Sequence, residues 1–252
     1  MKDLTWLKNR LIAHRGLHTK DGHIPENSLA SYKQAIDKGY AIELDVNILK
    51  DGTVVCFHDH TLKRMCGVDL ELSQVTYDDI KELKLLHTNH TISTLSDVLK
   101  FVDKKVPLLI ELKPHGNVKE LTHAVMDILK NYDGTYALFS FHPKVVYLLK
   151  KHYPEVIRGQ IAESFSSENH MHPVVKKMMK HMVFNLLTKP DFISYGIKDL
   201  PNKSCDKLKK KGITIISYAA RNQKEFAFVK SRYDNVVFEY FTPKKRGCNE
   251  IE

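Results

Sequence analysis

The sequence predicts an α/β fold, a TIM (β/α)8 barrel with a small inserted cap subdomain after the second strand. Three observations predict it. Apolar, β-branched runs alternate with helical patterns along the chain, the rhythm of parallel βα units. One run breaks that rhythm, because the link before it is too short for a parallel crossover, and setting it aside leaves eight. Four runs end in groups that titrate or bind metal and phosphate. In a barrel of this kind the chemistry sits at the carboxyl ends of the strands.

The eight parallel strands are expected near Leu11–His14, Ala41–Val46, Leu108–Leu112, Tyr136–Ser140, Val156–Ile161, Phe192–Tyr195, Thr214–Tyr218 and Val236–Glu239. Helices follow most of them. Ser28–Lys38 carries apolar residues at Leu29, Tyr32, Ala35 and Ile36, with Asn27 expected as its cap and Gly39 just past its end. Leu95–Val102, Val118–Leu129, Lys144–Lys151 and Lys203–Lys211 read the same way.

The odd run is Thr53–His58. Only Leu49-Lys50-Asp51-Gly52 separates it from Ile48, and Asp-Gly favours a hairpin turn. It is therefore expected to fold back antiparallel above the barrel mouth and to deliver His58 beside Glu43 and Asp45. The stretch 59–93 that follows is too long for an ordinary loop. It holds a short helix signal at Thr76-Tyr77-Asp78-Asp79 and is expected to form the cap. A second irregular stretch, Glu163–Lys189, is rich in Met and Lys. It is expected to be an outer barrel helix rather than a membrane-surface segment.

The chain has 252 residues, 42% hydrophobic and 27% charged, which suits one globular domain over 1–252 with a sizeable core. The formal charge of +9 favours anionic substrates. The basic runs Lys207–Lys211 and Lys244–Arg246 are not interleaved with aromatic residues, so nucleic acid is not the expected partner. Cys56, Cys66, Cys205 and Cys248 form no C-x-x-C pair, the pattern of reduced thiols in a cytoplasmic protein. No apolar run approaches the roughly 20 residues that span a bilayer. Met1–Arg10 has no signal-peptide core, and cleavage after such a segment would remove the first strand. A cytoplasmic location without a transmembrane segment is the expectation, and a homo-oligomer is compatible with it.

Residues two apart in a strand face the same way, so Glu43 pairs with Asp45 and Glu111 with Lys113. Ionised carboxylates on an inward face are too costly to be packing residues unless a cation compensates them. Three carboxylates against Arg15 and Lys113 leave a surplus that a divalent metal would neutralise. Oxygen ligands alone select Mg2+ or Ca2+ over zinc. Arg15 and Lys113 would then hold a phosphate, arginine by its planar fork and lysine as a point charge. His14 and His58 each end an apolar strand beside a charged residue, and histidine titrates near neutrality, so one can take a proton while the other gives one. The competing reading on residue type alone is that the carboxylates are structural ion-pair partners of Lys113 and Arg15. His60, His115 and His142 lie near the same rim with no role assigned.

At these residues the chain resembles the glycerophosphodiester phosphodiesterase family, of the bacterial cytoplasmic type. The motifs stand in order as His14-Arg15-Gly16, Pro25-Glu26-Asn27-Ser28, Glu43-Leu44-Asp45-Val46 with Lys50-Asp51-Gly52, His58-Asp59 followed by Leu62-Lys63-Arg64, and Glu111-Leu112-Lys113. The resemblance implies a TIM barrel with an inserted cap. It also implies metal-dependent hydrolysis of small glycerophosphodiesters to glycerol 3-phosphate and an alcohol. By it, Glu43, Asp45 and Glu111 match the ligands of one divalent metal, His14 and His58 the acid–base pair, and Arg15 and Lys113 the phosphate-binding positions. Glu26 matches a glutamate near the metal, behind the ligands.

Two departures bear on substrate preference. The family's W-T-V-N motif is replaced by Ile216-Ser217-Tyr218-Ala219-Ala220, and its closing T-D-x-P by Phe238-Glu239-Tyr240-Phe241. Both are expected on the substrate's alcohol side and behind the site. Two rival readings are a phospholipase of the sphingomyelinase D type and a non-catalytic phosphodiester-binding barrel. The long insertion after His58 argues against the first. The presence of all seven site residues argues against the second.

Overall fold

The computed structural model describes residues 2–165 and 172–244. Cys248, Lys245 and Arg246 therefore lie outside the described residues, as do residues 166–171 of the second irregular stretch. The chain opens with α1 (Thr5–Asn9), β1 (Ile12–Ala13), α2 (Leu29–Asp37), β2 (Ala41–Ile48) and β3 (Val54–Cys56). Two short helices follow, α3 (Lys63–Cys66) and α4 (Tyr77–Ile80), then α5 (Leu95–Val102). The barrel continues through β4 (Leu108–Leu112), α6 (Val118–Leu129), β5 (Tyr136–Ser140), α7 (Pro143–His152) and β6 (Arg158–Ala162). Helices α8 (Pro173–Lys180) and α9 (Asn185–Thr188) lead to β7 (Phe192–Gly196), α10 (Lys203–Lys210), β8 (Thr214–Ala220), α11 (Gln223–Arg232) and β9 (Asn235–Phe238).

The sheet runs β1-β9-β8-β7-β6-β5-β4-β2 and closes because β1 also pairs with β2. Every one of these pairings is parallel. This is the eight-stranded TIM barrel. β3 stands outside it, antiparallel to β2 with Val46 opposite Cys56, as the Asp-Gly turn predicts.

The strand period of two divides the side chains cleanly. Ala13, Ile42 and Leu44 face outward into the layer between barrel and helices, with α5 and α6 among their partners. Ile12, Ala41, Leu109, Phe139, Phe192 and Val237 face inward, and Leu7 of α1 joins them. Glu43 and Asp45 continue the inward row begun by Ala41. Residues 59–93 contribute Leu62, Met65, Leu72, Ile80, Leu85 and Ile92 to a third cluster, shared with Leu49, Val55 and Phe57. The capping box at Thr76 and Asp79 starts α4.

The structure corrects several local expectations. Ser28, not Asn27, caps α2: its side chain accepts from the Ser31 amide while Ser31 returns the bond. Asn27 sits at φ 52°, and its side chain serves Asp45 instead. β6 starts at Arg158 rather than Val156, and β9 ends at Phe238, so Glu239 lies just past it. β8 runs on to Ala220 through a register shift after Ser217. α1 and α11 lie outside the predicted helices. α8 and α9 occupy the β6–β7 connection. Among the described residues no helix is long and apolar enough to cross a membrane.

Candidate active site

β2 and β4 are in register so that Asp45 lies opposite Glu111. Glu43, two residues earlier on β2, completes a buried group whose carboxylate oxygens lie within 4.8 Å of one another. Two cations face it. Arg15 Nε is 3.3 Å from Asp45 Oδ2, and Lys113 Nζ is 3.0 Å from Glu111 Oε1 and 3.7 Å from Asp45 Oδ1. The Arg15 backbone amide donates to Glu43 Oε2 at 2.9 Å, and Asn27 Nδ2 donates to Asp45 Oδ2 at 2.9 Å. Gly16 lets the chain turn after Arg15. Its φ of 76° and the nearness of Ser31 leave no room for a side chain.

The three carboxyls are not equivalent. Burial, together with the charges of Asp45 and Glu111, pushes the Glu43 carboxyl well above the usual range. Burial also raises Glu111, against the pull of Lys113. Burial opposes ionisation of Asp45 as well, but Arg15 and Lys113 prevail and hold its carboxyl well below the usual range. Glu43 is thus the carboxylate whose charge lacks compensation. Asp45 Oδ1 and Arg15 Nε are buried with no hydrogen-bond partner among the described residues. An orphaned carboxylate oxygen within an all-oxygen set fits a hard divalent cation. A cavity of about 20 Å³ bounded by His14, Glu43, Glu111 and Tyr218 adjoins it, room for about one water.

Each histidine is held by its own carboxylate. His14 Nδ1 is 2.7 Å from Glu239 Oε2, which leaves Nε2 turned inward, 3.9 Å from Glu43 Oε2. Burial and the neighbouring Arg15 cation push the His14 ring below its ordinary value. Burial works against the Glu239 charge, yet hydrogen bonds from His14 and Arg221 hold its carboxyl down to about 2. The Arg221 bond is 2.7 Å. His58 Nδ1 is 2.6 Å from Asp59 Oδ1. Arg64 bonds Asp59 through Nε at 2.6 Å and Glu26 through Nη2 at 2.6 Å. Glu26 in turn accepts from Arg15 Nη1 at 2.7 Å. A continuous ionic chain therefore runs from His58 through Asp59, Arg64 and Glu26 to Arg15.

All eight residues singled out in the sequence are drawn into this one region: His14, Arg15, Glu26, Glu43, Asp45, His58, Glu111 and Lys113. Glu239, Asp59, Arg64 and Asn27, which stand in the motifs without an assigned part in the chemistry, join them, as does Arg221. Glu239 had a readable signal, since it ends the apolar run Val236-Val237-Phe238 just as the other site residues end theirs. It stands behind the site, where the closing motif is expected, and bonds His14. Tyr218 donates to Glu163 Oε2 at 3.0 Å, with its ring edge-on to Phe141. His60 and His115 lie against each other, rings 5.3 Å apart.

Residues 14–238 match the model of the "Glycerophosphoryl diester phosphodiesterase family". Among curated proteins, YhdW of Bacillus subtilis (strain 168) is 25% identical over 240 residues, covering 91% of this chain and 94% of its own. The "Glycerophosphodiester phosphodiesterase" of Caldanaerobacter subterraneus subsp. tengcongensis is 34% identical over 115 residues, 42% of this chain and 46% of its own. Among solved structures, an Oleispira antarctica phosphodiesterase in complex with the product sn-glycerol-3-phosphate superposes with a TM-score of 0.77 at 23% identity. It covers 93% of this chain and 94% of its own. The glycerophosphodiester phosphodiesterase of Thermotoga maritima gives 0.70 at 24% identity, covering 90% and 93%. These two likenesses establish the shared barrel.

Proposed function

Because the chain belongs to the glycerophosphoryl diester phosphodiesterase family, we propose that it hydrolyses glycerophosphodiesters to glycerol 3-phosphate and an alcohol by histidine acid–base catalysis beside a carboxylate-bound divalent metal. One observation carries the reading: three buried carboxylates at strand ends are flanked by two cations and by two histidines, each with its own carboxylate.

Glu43, Asp45 and Glu111 would hold the cation, Mg2+ or Ca2+, which when bound neutralises charge on the phosphoryl oxygens. Arg15 and Lys113 bind the phosphate. Glu26, itself anchored by Arg64, fixes the Arg15 guanidinium, so that fork is oriented before substrate arrives. Glu239 holds Nδ1 of His14 and Asp59 holds Nδ1 of His58, which commits each ring's Nε2 to proton transfer. One ring takes the proton of the attacking hydroxyl and the other protonates the departing alkoxide. Residues 59–93 serve as the cap, since they follow His58 directly and carry Arg64. The substrate is a small molecule, and the unpaired cysteine spacing goes with a reducing cytoplasmic setting.

The test is release of glycerol 3-phosphate from glycerophosphocholine with Mg2+ or Ca2+ present. Stoichiometric glycerol 3-phosphate and choline support the reading. Phosphocholine and glycerol instead would put the cleavage on the wrong side of phosphorus. Binding without turnover would favour the non-catalytic barrel.

A further inference from the structure

His60 and His115 belong to different parts of the molecule. His60 lies in the stretch 59–93, and His115 follows β4 on the barrel. Both are solvent-accessible. Their ring centres are 5.3 Å apart and their planes are tilted by 48°. Two imidazoles on one tetrahedral ion, with metal–nitrogen bonds of about 2.0–2.1 Å, bring their ring centres to about 5 Å. The spacing of the two rings matches a shared ion.

Histidine rings also meet at His14 with His18 and at His123 with His152. Hydrogen bonds account for those contacts. His14 Nδ1 bonds Glu239, His18 Nδ1 donates to the His14 carbonyl oxygen, and His123 Nδ1 bonds the Tyr153 hydroxyl. Among the described residues, neither His60 nor His115 has a side-chain hydrogen bond or an ion pair. Partial desolvation, with charge at Lys113, His60 and His58, pushes the His115 ring down to about 4, so at neutral pH its lone pair is open to a metal. Asp59, between His58 and His60 in the chain, offsets part of that positive charge. Neutral imidazoles suit zinc, copper and nickel, whereas Mg2+ and Ca2+ take oxygen.

We propose that His60 and His115 form a second metal site, separate from the carboxylate group, which takes one late transition-metal ion, Zn2+ foremost. Solvent supplies the remaining ligands. The two sites sort cations by donor, nitrogen at the histidines and oxygen at Glu43, Asp45 and Glu111. An ion held by both rings ties residues 59–93 to the connection between β4 and α6. It clamps the cap to the barrel beside His58 and Lys113. The site does not depend on the phosphodiesterase reading, since neither histidine has a part in that chemistry.

The experiment titrates the full chain with Zn2+ by calorimetry in a large excess of Mg2+, which competes for the carboxylates and not for the imidazoles. A Zn2+ equivalent that persists in Mg2+ is expected in the parent and in Glu43→Gln. His60→Asn and His115→Asn should each weaken it more than about tenfold, since even a group that merely supports a metal ligand is worth about that much. Both positions are solvent-accessible, so the fold tolerates the variants. Zn2+ should also slow amide hydrogen exchange across residues 59–93 in the parent and in neither histidine variant, because the clamp needs both rings. No Zn2+ equivalent in the parent overturns the site. An isotherm that either histidine substitution leaves unchanged overturns it too. Binding lost in Glu43→Gln and kept in both histidine variants places the ion at the carboxylates and overturns the second site. Zinc bound through both histidines with unaltered exchange in residues 59–93 overturns the clamp.

Discussion

His14 and Glu239 stand 225 residues apart in sequence and 2.7 Å apart in space. Barrel closure brings them together: β1 and β9 are adjacent and in register, with Ala13 opposite Phe238, so the residues after each strand meet. Arg221, beyond the end of β8, bonds the other oxygen of Glu239. The carboxylate thus stays charged, holds Nδ1, and supports a positive charge on the ring.

Glu239→Gln keeps the shape of this contact and removes its charge. We expect kcat to fall roughly a hundredfold with KM little changed, the size of an impaired general acid or base. The pH–rate profile should shift as well, because the imidazolium loses its counter-ion. Steady-state kinetics across pH checks this, and an unaltered profile would assign Glu239 a packing role.

The same carboxyl sets an acid limit on stability. Its ordinary value is 4.5 and the fold lowers it to about 2. A depressed carboxyl contributes stability above its unfolded value and loses it as pH falls through the folded one. Glu239 should therefore contribute up to about 3 kcal/mol above pH 4.5, and that contribution should fade between about pH 4.5 and 2. Urea unfolding at a series of pH values should show a shallower acid limb for Glu239→Gln than for the parent protein.

Glu43 and Asp45 should respond differently to neutralisation. Burial and its neighbours oppose ionisation of Glu43, so Glu43→Gln should unfold at the same temperature as the metal-free parent or higher. Asp45 compensates Arg15 and Lys113, so Asp45→Asn should unfold earlier, because removing one partner of a buried pair is costly. Both variants, and Glu111→Gln, should lose the rise in Tm that Mg2+ or Ca2+ gives the parent. Thermal unfolding with and without cation separates these outcomes.

His14→Ala and His58→Ala should each lower kcat by roughly two to four decades. The double variant should be little worse than the poorer single one, since the two rings act as a unit. Near-native kcat in either single variant would remove that ring from proton transfer.

What the sequence reveals, and what it hides, follows from the range of the forces involved. Glu43 beside Asp45, and Glu111 beside Lys113, are readable because a strand repeats every two residues and a buried carboxylate demands a reason. The antiparallel β3 was readable because Asp51-Gly52 fixes a hairpin. Asn27 was misread, since a residue suited to cap a helix is equally suited to bond a carboxylate, and only the fold shows which it does. Glu239 and Arg221 were missed because their role depends on barrel closure, a contact that no local pattern encodes. Arg64 was missed because a long side chain can reach either Asp59 or solvent. The exposure of Leu186 and Leu187 was hidden for a similar reason: an apolar residue reads as core until its neighbours are known.

The most direct measurement is turnover of glycerophosphocholine by protein stripped with EDTA and then returned to Mg2+ or Ca2+. The account predicts that glycerol 3-phosphate release is lost on stripping and restored by either or both cations in the parent, and not restored in Asp45→Asn or Glu111→Gln. Full turnover by the stripped protein would contradict the assignment of Glu43, Asp45 and Glu111 as a metal site.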